Sequence, residues 1–310
     1  MFRNKNLIKD ERGQSIIIVA LAMVVLLGFT AVAVDAGYLF FQRRHLQNTA
    51  DAAALAGARE LADGDVNNIG DVIAQYVSEN DVDASEIEDW SVDGNRVTVE
   101  LKGNRGLFFA RVLGFSNTDV PARAVAAVGP PGGMEGLRPI GVQEQLVEDL
   151  LDGVATHIYI TKDNFNQIGA GNWGWVNLKH PSNPNSPEQV GYIINGYDGM
   201  IYIDQEIKTD TGANLATPAQ LNNDLGDALD YFIENGETLY IPIISDTVTN
   251  GTSELVTIKG FVAIKITNYG DQSANFWLEA VVDKEAKPFV VGPMDPDAPD
   301  YGLKAIALVE

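Results

Sequence analysis

The sequence predicts an α+β protein carried on one apolar N-terminal helix. Three observations predict this class. Residues 14–34 read QSIIIVALAMVVLLGFTAVAV and hold no charged side chain. Residues 36–62 continue in strong helix formers without a proline. Beyond residue 136, apolar runs with period two alternate with Gly-, Asn- and Asp-rich connections, the pattern of strands joined by loops.

The first element is long enough to cross a bilayer. At about 1.5 Å per residue, residues 14–34 cover roughly the ~30 Å hydrocarbon core. A cleaved signal peptide has a shorter apolar stretch before a small-x-small site. Ala31, Ala33 and Ala36 would suit such a site, but the length of the run and the helix continuing past Asp35 favour a signal-anchor. A buried helix of a soluble protein is the third reading. Arg3, Lys5, Lys9 and Arg12 precede the span, whereas only Arg43 and Arg44 follow it closely. Excess Lys/Arg stays cytoplasmic, so residues 1–13 are expected as a cytoplasmic tail and the rest as extracellular or periplasmic.

The membrane-proximal helix, 35–62, places Tyr38, Phe40 and Phe41 where an aromatic belt would lie. Farther along, Ala50, Ala54 and Ala58 fall on one line, with Ala53 and Gly57 beside it. Small residues four apart let helices approach closely. This face packs either on its own domain or on other anchored subunits, and the sequence leaves both open. Asp63-Gly64 is the expected end of the helix.

Residues 65–128 are expected as a small α+β unit. Val66, Ile69, Ile73 and Tyr76 or Val77 have helical spacing. Residues 87–101 read as a hairpin about Asp93-Gly94. Residues 106–115, GLFFARVLGF, suggest a short helix, and 118–128 a strand with Pro121 near its start or on an edge. Gly129-Pro130-Pro131-Gly132-Gly133 marks a linker over 129–136. The β-rich outer domain is expected over 137–292. Its strands are His157–Thr161, Tyr240–Ser245, Val256–Thr267 and Phe276–Asp283. The last two form a hairpin about 268–271, and Pro218–Asn235 is the one clear helix. An acidic tail, 293–310, closes the chain.

The chain has 310 residues and no cysteine, which removes disulfides and thiolate metal sites. Residues 1–62 hold seven Lys/Arg against five Asp/Glu, and the remainder 14 against 38. A surface that acidic repels phosphate backbones, so no nucleic-acid partner is expected.

A resemblance to a known family rests on three segments. These are Arg12-Gly13-Gln14 with the apolar span, Val34-Asp35-Ala36-Gly37-Tyr38, and Leu46-Gln47-Asn48-Thr49-Ala50-Asp51-Ala52-Ala53-Ala54-Leu55-Ala56-Gly57-Ala58. Their order resembles the N-terminal segment of the TadE/TadG-like proteins of tight-adherence (Flp) pilus assembly, closest to the larger TadG-like members. Residues 107–115 with 120–128 resemble the corresponding region of those proteins. Gly171-Asn172-Trp173-Gly174 and Lys259-Gly260-Phe261-Val262 resemble patches in their outer domains. The resemblance implies an anchored, non-enzymatic assembly protein whose partners are the membrane lipid bilayer and other pilus-assembly or pilin-like subunits. Pilins of this type are cut after a glycine and carry Glu at the fifth mature position. Cleavage after Gly13 would put Ile18 there, so processing by a prepilin peptidase is not expected.

A search for chemistry finds little. His45, His157 and His180 have no metal-ligand spacing. No nucleophile elbow, P-loop or dinucleotide fingerprint occurs. Asp81-Val82-Asp83-Ala84-Ser85 begins like a calcium loop, but Glu86 and Val92 stand where Gly and Glu are required. Asp246-Thr247-Val248-Thr249-Asn250 does not match the Asp-x-Ser-x-Ser metal site of adhesion domains found in some TadG-like proteins. Asp295–Asp300 reads as a stiff acidic stretch, and Trp173 and Trp175 as core aromatics rather than a stacking patch. No catalytic, cofactor-binding or metal-binding residue is assigned. The alternative reading is a surface enzyme or carbohydrate-binding module on an unrelated anchor.

Overall fold

The computed structural model describes residues 14–151, 158–161, 172–182, 186–211, 223–245, 255–272, 275–286 and 293–309. The chain forms two units, Met1–Ala127 with Leu308–Glu310, and Val128–Ala307. The architecture is α+β, as the sequence predicts.

In the first unit a single helix, α1 (Gln14–Asp63), runs unbroken for 50 residues, roughly 75 Å. No proline interrupts it and no charge stands between Gln14 and Val34, and Gly64, at φ +81°, takes the left-handed conformation that ends it. It is long and apolar enough to cross a membrane. Side chains from Ile16 to Phe29 stand 55–74 % exposed. The helix changes character at Asp35, from which point the fold begins to cover it.

Helix α2 (Ile69–Glu79) buries Ile69, Ile73 and Val77, four residues apart. It packs on the second half of α1 together with an antiparallel sheet of β1 (Ile87–Asp93), β2 (Arg96–Gly106) and β3 (Asn117–Gly129). The β1–β2 turn is the Asp93-Gly94 corner expected from sequence, with Gly94 at φ +59°. In β2 the alternation Val97, Val99, Leu101 points inward. The sheet's fourth strand is β13 (Ala305–Leu308), and Val309 N–H donates to the Val125 carbonyl at 2.9 Å.

The expected helix over 106–115 is only a 3-10 turn, Ala110–Leu113. The amides at its entry, Phe108, Phe109 and Ala110, donate to a side chain on α1, and Gly114 at φ +95° ends it after one turn.

The second unit centres on β10 (Thr238–Ile244), β11 (Leu255–Gln272) and β12 (Asn275–Val282). They are antiparallel, with β5 (Val142–Gln143) parallel to β10 and β6 (Ile158–Thr161) beside β12. Strand β9 (Glu206–Thr211) joins β11 to β7 (Asn172–Asn177). Val256, Ile258, Val262, Ile264 and Ile266 are buried along the face predicted for β11. Phe261 and Ala263 are buried on the opposite face, so this strand is covered on both sides. β11 runs through residues 268–271 to Gln272, placing the hairpin beyond the expected turn. The expected helix 218–235 is α5 (Asn223–Asn235), while α3 (Glu144–Leu151) and α4 (Ser186–Asn195) were not foreseen.

Residues 129–136 are built into this unit. β4 (Gly133–Met134) pairs with β8 (Ile201–Tyr202), and Gly132 N–H donates to the Pro293 carbonyl at 2.6 Å. Residues 293–304 likewise contribute buried Tyr301 and Leu303.

Candidate functional site

The sequence directs attention to α1. Ala50, Ala53, Ala54 and Ala58 are all fully buried. A Cβ added at Gly57 would lie 3.1 Å from Val97 Cγ1 and 3.3 Å from Ile73 Cδ1. At Gly57 the small-residue face is met by Ile73 of α2 and Val97 of β2 in its own chain. The physical reason is that small side chains let α2 and the sheet approach the helix backbone, and the Ile and Val side chains fill the space left.

Polar anchors fix this packing. The Arg105 guanidinium donates to both carboxylate oxygens of Glu86, at 2.9 and 2.7 Å, and its Nε–H donates to Gln42 Oε1 on α1 at 2.8 Å. A forked donor matched to a carboxylate is among the stronger ion-pair geometries. Gln47 Nε2 donates to the Arg123 carbonyl of β3 at 2.7 Å and to Asp51 Oδ1 at 2.9 Å.

Asp35 lies at the end of the uncharged span and is 6 % exposed. Its Oδ1 accepts from Phe108 N–H (2.9 Å) and Phe109 N–H (3.2 Å), and its Oδ2 from Phe109 N–H (3.0 Å) and Ala110 N–H (2.7 Å). Desolvation opposes the charge on Asp35. Three successive backbone N–H donors outweigh it and hold the carboxyl below its ordinary value. Beside it, Tyr38 meets Phe108 edge to face, with centroids 5.1 Å apart. Phe40 and Phe41 point to the surface. Sequence reading placed Asp35 in a motif but missed its role. The signal was a carboxylate at the edge of an apolar span, a costly position unless donors meet it.

The remaining candidates do not converge. Among the described residues no group of three His, Asp or Glu could hold a metal ion. The Asp81–Ser85 turn caps itself, with Ser85 N–H donating to Asp83 Oδ1 at 2.8 Å. Asp295 and Asp300 likewise accept from the amides of Asp297 and Gly302. His45 and His180 are half-buried and lie in different units. His157, the Asp246–Asn250 segment and the side chain of Trp173 lie outside what the structure describes. Trp175 is a core residue, 4 % exposed.

The second unit has a cleft of about 780 Å³ lined by Glu135, Arg138, Asp198, Glu237 and Tyr240. Arg138 lies 5.8 Å from the centre of the Phe232 ring. Burial pulls its guanidinium below the usual value, with Glu237 opposing. This lining supplies acidic side chains and one cation, and Thr238, also part of it, donates its hydroxyl to Asp283 Oδ2 at 2.6 Å.

Comparison with known proteins agrees with the helix. Residues 13–60 match the family described as Tad, Flp pilus-assembly TadE/G-like. Neither the curated proteins nor the solved structures contain a match to the chain. The matched stretch holds the apolar span, Asp35 and the small-residue face together, so over residues 13–60 the chain is similar to the TadE/G-like family of Flp pilus-assembly proteins.

Proposed function

We propose that this is a membrane-anchored, non-enzymatic assembly protein of a tight-adherence pilus system. Residues 14–34 cross the membrane, residues 1–13 lie in the cytoplasm, and both folded units lie outside. The observation that carries the reading is the division within the family segment: α1 is bare and apolar up to Val34 and covered on one face from Asp35 onward. A bare stretch of that length costs a water-soluble protein heavily, whereas acyl chains solvate it.

With the small-residue face of α1 occupied internally, contacts to pilin-like or assembly subunits fall to the exposed side chains of residues 15–34 and to the two outer units. Orientation follows from Arg3, Lys5, Lys9 and Arg12 on the cytoplasmic side. The test is protease added to intact, wall-stripped cells. Residues 65–310 are digested under this reading. Protection of that region until the membrane is lysed would reverse the orientation.

A further inference from the structure

The connection between β2 and β3, residues 107–116, contradicts the usual economy of a soluble fold. Phe108, Phe109, Val112, Leu113 and Phe115 are 62, 47, 87, 77 and 65 % exposed. Contiguous exposed apolar groups of this size mark an interaction surface. The loop does not project into open solvent away from the helix. With Val24, Leu27 and Ala31 of α1, Val112 and Leu113 line an apolar groove of about 620 Å³. The loop thus runs back alongside the uncharged span.

We propose that residues 107–116 form a membrane-dipping loop. Its apolar side chains enter the acyl-chain region beside α1, and lipid chains fill the groove between loop and helix. The proposal rests on the anchoring of residues 14–34 proposed above. Lipid is assigned as the occupant because the loop surface is continuous with the face of α1 that the bilayer must cover.

Two further features fit lipid. Irregular backbone at membrane depth requires its N–H groups to be satisfied within the protein. The Asp35 carboxylate satisfies the amides of Phe108, Phe109 and Ala110, at the turn where the loop would otherwise present them bare. Arg111 is the one charged residue between Leu107 and Phe115. It folds back so that its Nη2 lies 3.6 Å from where a Cβ on Gly106 would stand, at the base of the loop. That is the snorkelling expected of a long cationic side chain near an interface. A loop inserted beside its own helix adds a second point of attachment and fixes the height and tilt of the first unit.

The chain has no cysteine, so single cysteines at Phe29, Val92, Val112 and Leu113 can each carry an environment-sensitive fluorophore. All four positions are exposed, which spares the fold. The full chain is reconstituted into phosphatidylcholine–phosphatidylglycerol vesicles containing nitroxide-labelled acyl chains. Labels at Phe29, Val112 and Leu113 are expected to lose emission to the nitroxide lipid and resist aqueous iodide. The label at Val92, on β1 at the opposite end of the β1–β2 hairpin, is expected to do the reverse. Iodide quenching at Val112 and Leu113, with Phe29 still quenched by lipid, overturns the loop and leaves the anchor standing. Shielding of the loop labels from both quenchers means that protein covers the loop, and also overturns the proposal. Failure of lipid to quench Phe29 defeats the anchor reading and the loop with it.

Discussion

At Asp35 a carboxylate closes the apolar span and organises a segment 73 residues away in sequence. Its charged form is the acceptor, so its effect depends on pH. A carboxyl whose folded pKa is depressed contributes stability that is complete above its unfolded value and lost as pH falls through the folded one. The ordinary value is 3.8. Exchange protection of the Phe108, Phe109 and Ala110 amides, corrected for intrinsic rates, is therefore expected to hold from neutrality to about pH 5. It fades only below the ordinary carboxylate value. Asp35→Asn removes the charge and leaves one acceptor oxygen, and those three amides should lose protection at neutral pH. Unchanged protection in the variant would show that the carboxylate does not hold the loop.

At the level of elements, two close approaches carry the packing. Gly57 admits Val97 and Ile73 against α1. Gly57→Leu forces them away, and overpacking of this kind costs about 1–3 kcal/mol. The melting temperature of the detergent-solubilised protein should fall, whereas Leu at exposed Asn48 should change stability by no more than about 0.5 kcal/mol. Gly260 in β11 faces Tyr301, where an added Cβ would lie 2.5 Å from ring atom Cε2. Tyr301 is 6 % exposed and donates its hydroxyl to Glu144 Oε1 at 2.5 Å. Gly260→Ala must displace that ring and should destabilise the second unit by a similar ~1–3 kcal/mol. A wild-type melt would mean that the ring is free to move.

These elements also show what a sequence discloses. The uncharged run over 14–34, the Asp93-Gly94 corner and the period-two run of β11 are local patterns, and each appears where its pattern lies. The path of the chain into the 3-10 turn at Ala110–Leu113 is not local, because the amides of Phe108, Phe109 and Ala110 are met by Asp35. The two-residue strands β4 and β8 are too short to carry a period, and they exist through each other. Helix α3 is a local pattern as well: Leu146, Val147, Leu150 and Leu151 have helical spacing in the sequence, a signal that eight residues leave easy to overlook. For the site, the small residues at 50–58 were visible as a close-packing face. Which surface they meet is decided by Ile73 and Val97, and spacing along α1 carries no information about either.

For the whole molecule, the sequence divides labour along one helix. The N-terminal part of α1 is solvated by the bilayer in the proposed reading, and the part after Asp35 is the mast on which the first unit packs. Its acidity disfavours nucleic acid as a partner, and in the proposed reading the outer units meet other pilus-assembly proteins. The account therefore stands on participation in pilus assembly from the membrane. The most direct measurement is co-purification of the full chain from detergent, with identification of the recovered proteins and a variant lacking residues 14–34 in parallel. The account predicts that pilus-assembly or pilin subunits of the same tight-adherence system are recovered with the full chain and depleted with the variant, at equal protein level. Recovery of the full chain from membranes with no component of that system, under conditions that keep the other pilus subunits associated with one another, would contradict it.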